Sequence, residues 1–573
     1  MRGTTRPGFI ALCCCLILSP LWLLTMFDRG LWTPDEPREA DIGWRMSWQS
    51  DRAIPTLAGK PFPEKPPLAY WASGAASAAF PDRVAALRVP NFVFAWLTTI
   101  AIVLLAHAAG GAPAAWIAGL TAGTFLLAVQ VTSWLATDAA LMVGVTGALL
   151  GAWRGIRAAL RRERLLWFVL MHASLAWAFF AKGPAAWLVP ICAVLSLMAL
   201  ERNWSALRSW EFWLPAVIPV GAILWWVAAA FRTRDGAHNL SMLLWSNVAG
   251  RFLRLDSVEG GAYSQGHANY PGKYLVELPF YLAPWIFLFA AALRRAWRRA
   301  REPSGSAWRF AAATCLVPVL ALSFASTGRG IYVAPALPAC ALLIGLWYAE
   351  RSTDTDRFDQ AMLAATLALV ALFVVLLFLL TGVLAASESM LPSSAFLMVG
   401  AFIALPALAI ARLHLRARRA RPFVTWVFIA FLVAFVSNAV VLLPAIDRWQ
   451  DLSAVVQAAD RDAGQRALVL YQPDETTLAL LDRLTPQRSP ALSAFTPDES
   501  ARVIRDRDAV AMLILLRGKA DGPLNRRLRS WGIHVPTASS AGELDDLCER
   551  LGLHPVRIYE VPQGRRYALL ARK

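Results

Sequence analysis

The stretch Leu31–Trp71, LWTPDEPREADIGWRMSWQSDRAIPTLAGKPFPEKPPLAYW, is charged, rich in Pro and Trp, and set between two apolar runs. It places Asp35 beside Glu36, and Glu64 beside Lys65, close to where an apolar segment has ended. Ionisable groups at a lipid boundary are costly to desolvate, so a cluster of them points to chemistry more than to packing. The chain therefore enters a membrane on both sides of this loop, residues 28–82, and the loop itself reads as an active site.

Working outward, 57% of the residues are hydrophobic and only 17% charged, with a mean hydropathy of +0.47. A soluble domain cannot hide that much apolar surface, so the chain reads as a polytopic membrane protein. Apolar runs fall at 9–27, 83–107, 113–132, 138–154, 165–181, 183–200, 211–231, 275–293, 308–325, 331–349, 361–385, 394–411 and 424–445, which predicts about thirteen transmembrane helices. Separating 165–181 from 183–200 rests on the break at Lys182-Gly183-Pro184.

The net charge of +17 comes with arginines grouped in short blocks between these runs, at 154–164, 294–301 and 412–421. That is the positive-inside pattern and excludes nucleic acid as a partner. Arg2 and Arg6 precede the first run, and no small-residue cleavage pattern appears before Asp28. The run reads as a retained anchor with its N-terminus in the cytoplasm. Alternation then places all three arginine blocks on the cytoplasmic side. It sends the Asp35 loop, the turn at Asp138, the loop 232–274, the turn 326–330 and the whole C-terminal region to the opposite face. The Ala- and Arg-rich composition suggests a bacterium, which makes the membrane the inner one and the far face periplasmic.

After residue 445 the character changes to mixed charge without spanning runs. ALVLYQ (467–472) and AVAMLILLRG (509–518) read as buried parallel strands, and ETTLALLDRL and AGELDDLCERLG as amphipathic helices. The predicted architecture is an all-α polytopic membrane domain, 1–445, followed by a small soluble α/β domain, 446–573. No phosphate loop or metal spacing appears in that domain, which reads as a cap or positioning element, with acceptor recognition as the alternative. Of seven cysteines, six lie in apolar runs and Cys548 stands alone in a polar region, so neither a disulfide framework nor a zinc site can be drawn.

An isolated Asp-Glu pair reads most simply as a helix N-cap. Its company shifts the weighing: Arg38 is close by, then Glu64-Lys65-Pro66-Pro67 and Tyr70-Trp71. The ordered set Asp35-Glu36-Pro37-Arg38, Pro55, Gly59-Lys60-Pro61, Glu64-Lys65-Pro66-Pro67-Leu68 and Tyr70-Trp71 resembles the first extracytoplasmic loop of the GT-C glycosyltransferases, in the bacterial aminoarabinose transferase and protein O-mannosyltransferase superfamily. Arg88-Val89-Pro90, Thr137-Asp138, Lys182-Gly183-Pro184, Arg251-Phe252, His267 and Tyr332 come next in the family's order, so the resemblance covers residues 10–350.

The resemblance implies an enzyme that moves a sugar from a polyprenyl phosphate carrier, with inversion, to an acceptor outside the cytoplasmic leaflet. No nucleotide fingerprint is needed, and none is present. Cations must then meet the leaving phosphate while a carboxylate engages the acceptor. By resemblance, Asp35 is the catalytic carboxylate, with Glu36 beside it and Asp138 as the second acid; an N-cap role after Thr137 stays open for Asp138. Lys65 is the donor-phosphate ligand, helped by Arg329 or Arg251, with Tyr332 at the cavity mouth, where an interfacial anchor is the plainer reading. The segment before Tyr332, Ser-Thr-Gly-Arg-Gly-Ile, lacks the lysine relatives usually carry there, so Arg329 is expected to supply that charge from a shifted position, and Ser50-Asp51-Arg52 replaces their Gly-Asp-Trp. Arg38, Glu64, His267 and Lys182 complete the candidates. A divalent cation between Glu64 and His267 is implied by the aminoarabinose branch, although one His and one Glu far apart read equally as hydrogen-bonding residues. The expected acceptor is lipid A or another envelope glycolipid; the alternative is a protein O-mannosyltransferase or a transferase for another envelope polymer. A lipid transporter or flippase should show two related halves, and no internal repeat is found. An assembly protein with a sensor domain leaves the first loop unexplained.

Overall fold

The computed structural model describes residues 6–80, 84–246, 269–325, 328–350, 355–387, 391–484, 492–494, 496–505, 510–516, 540–560 and 566–572. Arg251, His267 and Ser326 lie outside these residues, as does most of the 232–274 loop.

Among the described residues, ten helices are long and apolar enough to cross a membrane, or eleven with the pair Lys273–Tyr281 and Ile286–Arg299, bent by 120°. This count by length and composition stands below the expected thirteen, with Val84–Ala122 counted once. The runs 83–107 and 113–132 fall in Val84–Ala122, which breaks at Gly111, where φ is +75°; an added Cβ on Gly119 would meet the Val103 side chain at 2.6 Å, so the two halves fold back on each other as separate helices, and the run at 308–325 forms the shorter helix Ser306–Leu322. The last spanning helix continues to Gln450, past the expected boundary at 445.

The bundle is built around Asp138–Arg157 and Gly330–Glu350, each with 83% of its apolar window buried, whereas Trp210–Phe231 and Arg357–Ala386 bury 22% and form the rim. Close packing at the centre depends on a stripe of small residues. An added Cβ on Gly144 would sit 2.7 Å from the Ala178 amide nitrogen, and one on Gly151 would sit 2.6 Å from that of Met171, so Arg161–Lys182 lies directly against the glycine face. The arginine blocks meet at one end: Glu201 pairs with Arg157 and Arg309, Glu350 with Arg295 and Arg299, and Arg421 donates to the Ala349 carbonyl at 2.6 Å. Asp138 opens the helix that Arg157 closes, so the candidate site lies at the other end.

The C-terminal region forms a five-stranded sheet in the order Leu492–Ala494, Ala467–Tyr471, Val510–Leu516, Arg566–Ala571, His554–Glu560. The first three strands are parallel, as read for 467–472 and 509–518, and the last two pair antiparallel. The two expected helices form as Glu475–Leu484 and Ser540–Leu551. The domain is seated on the first loop: Leu31, Ala40, Leu87 and Leu135 share an apolar cluster with Leu452, Val456, Leu480 and Tyr567. Asp447 accepts from the Gly30 amide at 2.9 Å and the Trp32 indole at 2.7 Å.

Candidate active site

The loop after the first span folds into a helix, Asp35–Arg45, with both acids in its first turn, where the helix dipole favours negative charge. Successive helical residues point about 100° apart, and the two acids face different surroundings.

Glu36 turns inward and is fully buried. Its Oε1 accepts from Arg29 at 2.8 Å and the Leu135 amide at 2.8 Å, and its Oε2 from Arg29 at 2.6 Å, the Trp32 amide at 2.8 Å and Arg88 at 2.8 Å. Burial alone would raise its pKa, but Arg88 and Arg29 outweigh it and hold the carboxyl below its ordinary range. Both oxygens are committed to tying three segments together, which leaves no face for a substrate.

Asp35 turns outward, its side chain 24% exposed. Arg38 donates to its Oδ1 at 3.1 Å, and Arg329 approaches both oxygens at 3.3 and 3.4 Å. The chain thus brings Arg329, 294 residues distant in sequence, to the first acid of the loop.

Arg38 is the hub of the polar network. Besides Asp35 it contacts Glu39 at 3.3 Å, Glu64 at 3.7 Å and Glu475 at 2.8 Å. Burial would pull its pKa down, and the four acids together push it up instead. Lys65 donates to the Glu39 Oε1 at 2.7 Å. Burial likewise opposes its charge, yet Glu39 and Glu64 raise its pKa above the ordinary lysine value, so the ammonium is retained in a nearly closed site.

A second cluster lies on the bundle side. Asp138, at the head of its helix, pairs with Lys182, the last residue of Arg161–Lys182. Thr137 makes no side-chain cap there. The Lys182 Nζ lies 5.2 Å from the centre of the Tyr332 ring. Both clusters open on one cavity, partly open to its surroundings, with Glu64, Lys65, Lys182 and Tyr332 at its polar end and Leu141, Leu188, Val189, Leu243 and Leu322 along its walls.

Of the candidates read from sequence, the fold therefore joins Asp35, Arg38, Glu64, Lys65 and Arg329 in one network, and brings Lys182 and Tyr332 to the cavity that Glu64 and Lys65 also line, with Asp138 paired to Lys182. Glu36 lies apart. His267, the expected partner of Glu64 for a cation, lies outside the described residues; among those residues no group of three or more His, Cys, Asp or Glu side chains could hold a metal, and Glu64 faces Arg38.

Two members were not foreseen. Glu39 bridges Arg38 to Lys65, and Glu475 comes from the C-terminal domain. The helix residues Arg38, Ile42 and Arg45 repeat at i, i+4, i+7, as do Glu475, Ala479 and Asp482; that shared spacing with opposite charges was the available signal.

Residues 64–226 match the family described as dolichyl-phosphate-mannose-protein mannosyltransferase. An undecaprenyl phosphate-alpha-4-amino-4-deoxy-L-arabinose arabinosyl transferase of Pseudomonas paraeruginosa is 29% identical over 427 residues, covering 73% of this chain and 74% of that one. The enzyme of the same name from Pseudomonas aeruginosa is 28% identical over 473 residues, covering 80% and 83%. The crystal structure of ArnT from Cupriavidus metallidurans bound to undecaprenyl phosphate superposes with a TM-score of 0.67 at 17% identity, covering 99% of this chain and 98% of that one.

Proposed function

We propose that this chain, similar to aminoarabinose transferases in sequence and to a GT-C fold in structure, is a membrane glycosyltransferase that transfers a sugar from undecaprenyl phosphate to lipid A or another envelope glycolipid, on the periplasmic face of a bacterial inner membrane. The observation that carries this reading is the single cavity, apolar along its walls and ended by two lysines, that adjoins the network of Asp35.

In this reading the polyprenyl chain lies along Leu141, Leu188, Val189 and Leu322, and its phosphate reaches Lys65 and Lys182. Each lysine is already held by a carboxylate, Glu39 or Asp138, so the donor phosphate enters as a competing anion and neither cation is left unpaired. The acceptor oxygen attacks the anomeric carbon from the face opposite the phosphate. The bond from that carbon to the phosphate oxygen breaks, its electron pair leaves with polyprenyl phosphate, and the configuration inverts. The lysines stabilise the charge that develops on the leaving group. Asp35 takes the proton of a hydroxyl acceptor; for an anionic phosphate acceptor it orients the nucleophile, and no proton moves. Glu36 is the framework that fixes the helix carrying Asp35.

Mass spectrometry of lipid A tests the acceptor. Cells lacking the protein should lose a sugar-sized mass that wild type restores; unchanged lipid A in both strains refutes this acceptor. The match at residues 64–226 favours protein O-mannosylation as the second reading, which predicts instead a hexose lost from envelope proteins.

A further inference from the structure

The C-terminal domain does more than cover the transfer site. Its helix Glu475–Leu484 runs parallel to Asp35–Arg45, and residues of the same spacing pair along the two: Glu475 with Arg38, Ala479 with Ile42 in one apolar cluster, and Asp482 with Arg45. The start of the helix is fixed twice. Asp474 accepts from the Thr477 amide at 2.8 Å, and the Thr476 hydroxyl donates to the Pro34 carbonyl at 2.8 Å, immediately before Asp35.

We infer that Glu475 is a positioning residue of the transfer site, acting on the catalytic carboxylate through Arg38; this rests on Asp35 being that carboxylate. The planar guanidinium divides its two ends. Nη1 donates to Glu475 Oε2 at 2.8 Å, while Nη2 donates to Asp35 Oδ1 at 3.1 Å and Glu39 Oε1 at 3.3 Å. Glu39 Oε1 in turn holds Lys65 at 2.7 Å. Because the guanidinium fork is rigid, fixing one nitrogen sets the direction of the other. One carboxylate from the C-terminal domain thereby orients the groups for both halves of the reaction, the acceptor side through Asp35 and the donor side through Glu39 and Lys65.

A latch between domains is the plainer role, and other residues already fill it. Asp482 and Arg45 form a buried pair, Thr476 donates to the Pro34 carbonyl, and an apolar cluster joins the two domains. In the Arg38 network the partly open members are Glu475 at 33%, Arg329 at 32% and Asp35 at 24%, whereas Arg38, Glu39, Glu64 and Lys65 are 12% exposed or less. Glu475 thus stands where the site opens, not in the sealed interface. The groups facing it are Arg38, Glu64 and Lys65. Burial raises its pKa, Arg38 works against that, and Glu64 adds to it, so its charge is lost at a milder acid pH than that of an ordinary glutamate.

The test uses the full-length protein in proteoliposomes with undecaprenyl-phosphate-linked 4-amino-4-deoxy-arabinose as donor and lipid A as acceptor. Glu475→Gln should lower kcat by about tenfold, the scale of one hydrogen bond to a charged group, with KM for donor essentially unchanged and Tm equal to wild type. Glu475→Asp, which keeps the charge on a shorter arm, should recover part of the loss. The acid limb of the kcat profile should move to lower pH in Glu475→Gln, because the group whose protonation releases Arg38 is gone. Asp462→Asn, which breaks contacts with Arg557 and Tyr559 elsewhere in the domain, should leave kcat unchanged. Wild-type kcat in Glu475→Gln, or a loss that tracks a matching fall in Tm, overturns the inference alone. Absence of transfer by wild type itself overturns the underlying reading, and this one with it.

Discussion

Neutralising Glu36 should unfold the protein more readily, whereas neutralising its neighbour Asp35 should stop turnover and leave stability intact. Glu36 is fully buried and receives three guanidinium and two backbone N–H bonds. In Glu36→Gln the amide cannot balance Arg29 and Arg88, whose side chains are only 2% and 1% exposed. Breaking a buried pair by removing one partner costs about 3–5 kcal/mol, because the remaining charge is left uncompensated. If the whole chain of 573 residues unfolds together, with an unfolding entropy of about 2.1 cal/mol/K per residue, this cost corresponds to a fall in Tm of about 2.5–4 °C. Smaller cooperative units would give a larger fall. The assay is thermal unfolding of the detergent-purified protein, monitored by intrinsic tryptophan fluorescence, beside turnover measured well below the transition. Asp35→Asn loses only partly solvated contacts and should shift Tm by less than about 1 °C. A Glu36→Gln protein with wild-type Tm and abolished turnover per folded molecule would refute the framework role and place Glu36 in the chemistry.

Lys65→Met should lower kcat/KM for the donor by about 10- to 100-fold, the range of a lost charge-assisted hydrogen bond, with Lys65→Arg recovering part; donor titrations in proteoliposomes measure this. Burial raises the pKa of Asp41 to about 6, with Arg45 and the Ala58 amide opposing it. A carboxyl whose folded pKa is raised contributes stability that is complete below its unfolded pKa and lost as pH rises through the folded one. The Tm of Asp41→Asn relative to wild type should therefore rise between about pH 4 and pH 7; a difference that falls over this range contradicts the assignment. Gly151→Ala puts a methyl 2.6 Å from the Met171 amide nitrogen and should destabilise by about 1–3 kcal/mol, read as a lower Tm; Gly221→Ala, with open space around it, should not.

The membrane class was legible because it rests on composition, and the parallel strands at 467–471 and 510–516 because both are apolar runs of strand length. The break at Lys182-Gly183-Pro184 was legible for a local reason: Gly183 takes φ +74°, which ends the helix. Asp35 and Lys65 stood out through their motif. Sequence could not separate Asp35 from Glu36, since adjacent acids in a first turn carry the same local signal and differ only in what tertiary packing brings to each face. Arg88 stood out as a landmark of the family's order and not as a partner of Glu36, and Arg29 carried no signal, although both hold Glu36 in place. Glu475 was hidden by distance: its partner is 437 residues away, and a lone acid on an amphipathic helix reads as a solvated face. The separation of the runs 83–107 and 113–132 was legible too, since Gly111, at φ +75°, breaks the helix between them.

The central claim is that Asp35, beside a cavity ended by Lys65 and Lys182, drives transfer from a polyprenyl phosphate donor. The most direct measurement reconstitutes purified protein with radiolabelled undecaprenyl-phosphate-linked 4-amino-4-deoxy-arabinose and lipid A, and tracks labelled lipid A and released undecaprenyl phosphate together. Wild type should give equal amounts of both products, and an Asp35→Asn protein of wild-type Tm should give neither. Full transfer by Asp35→Asn would contradict the claim.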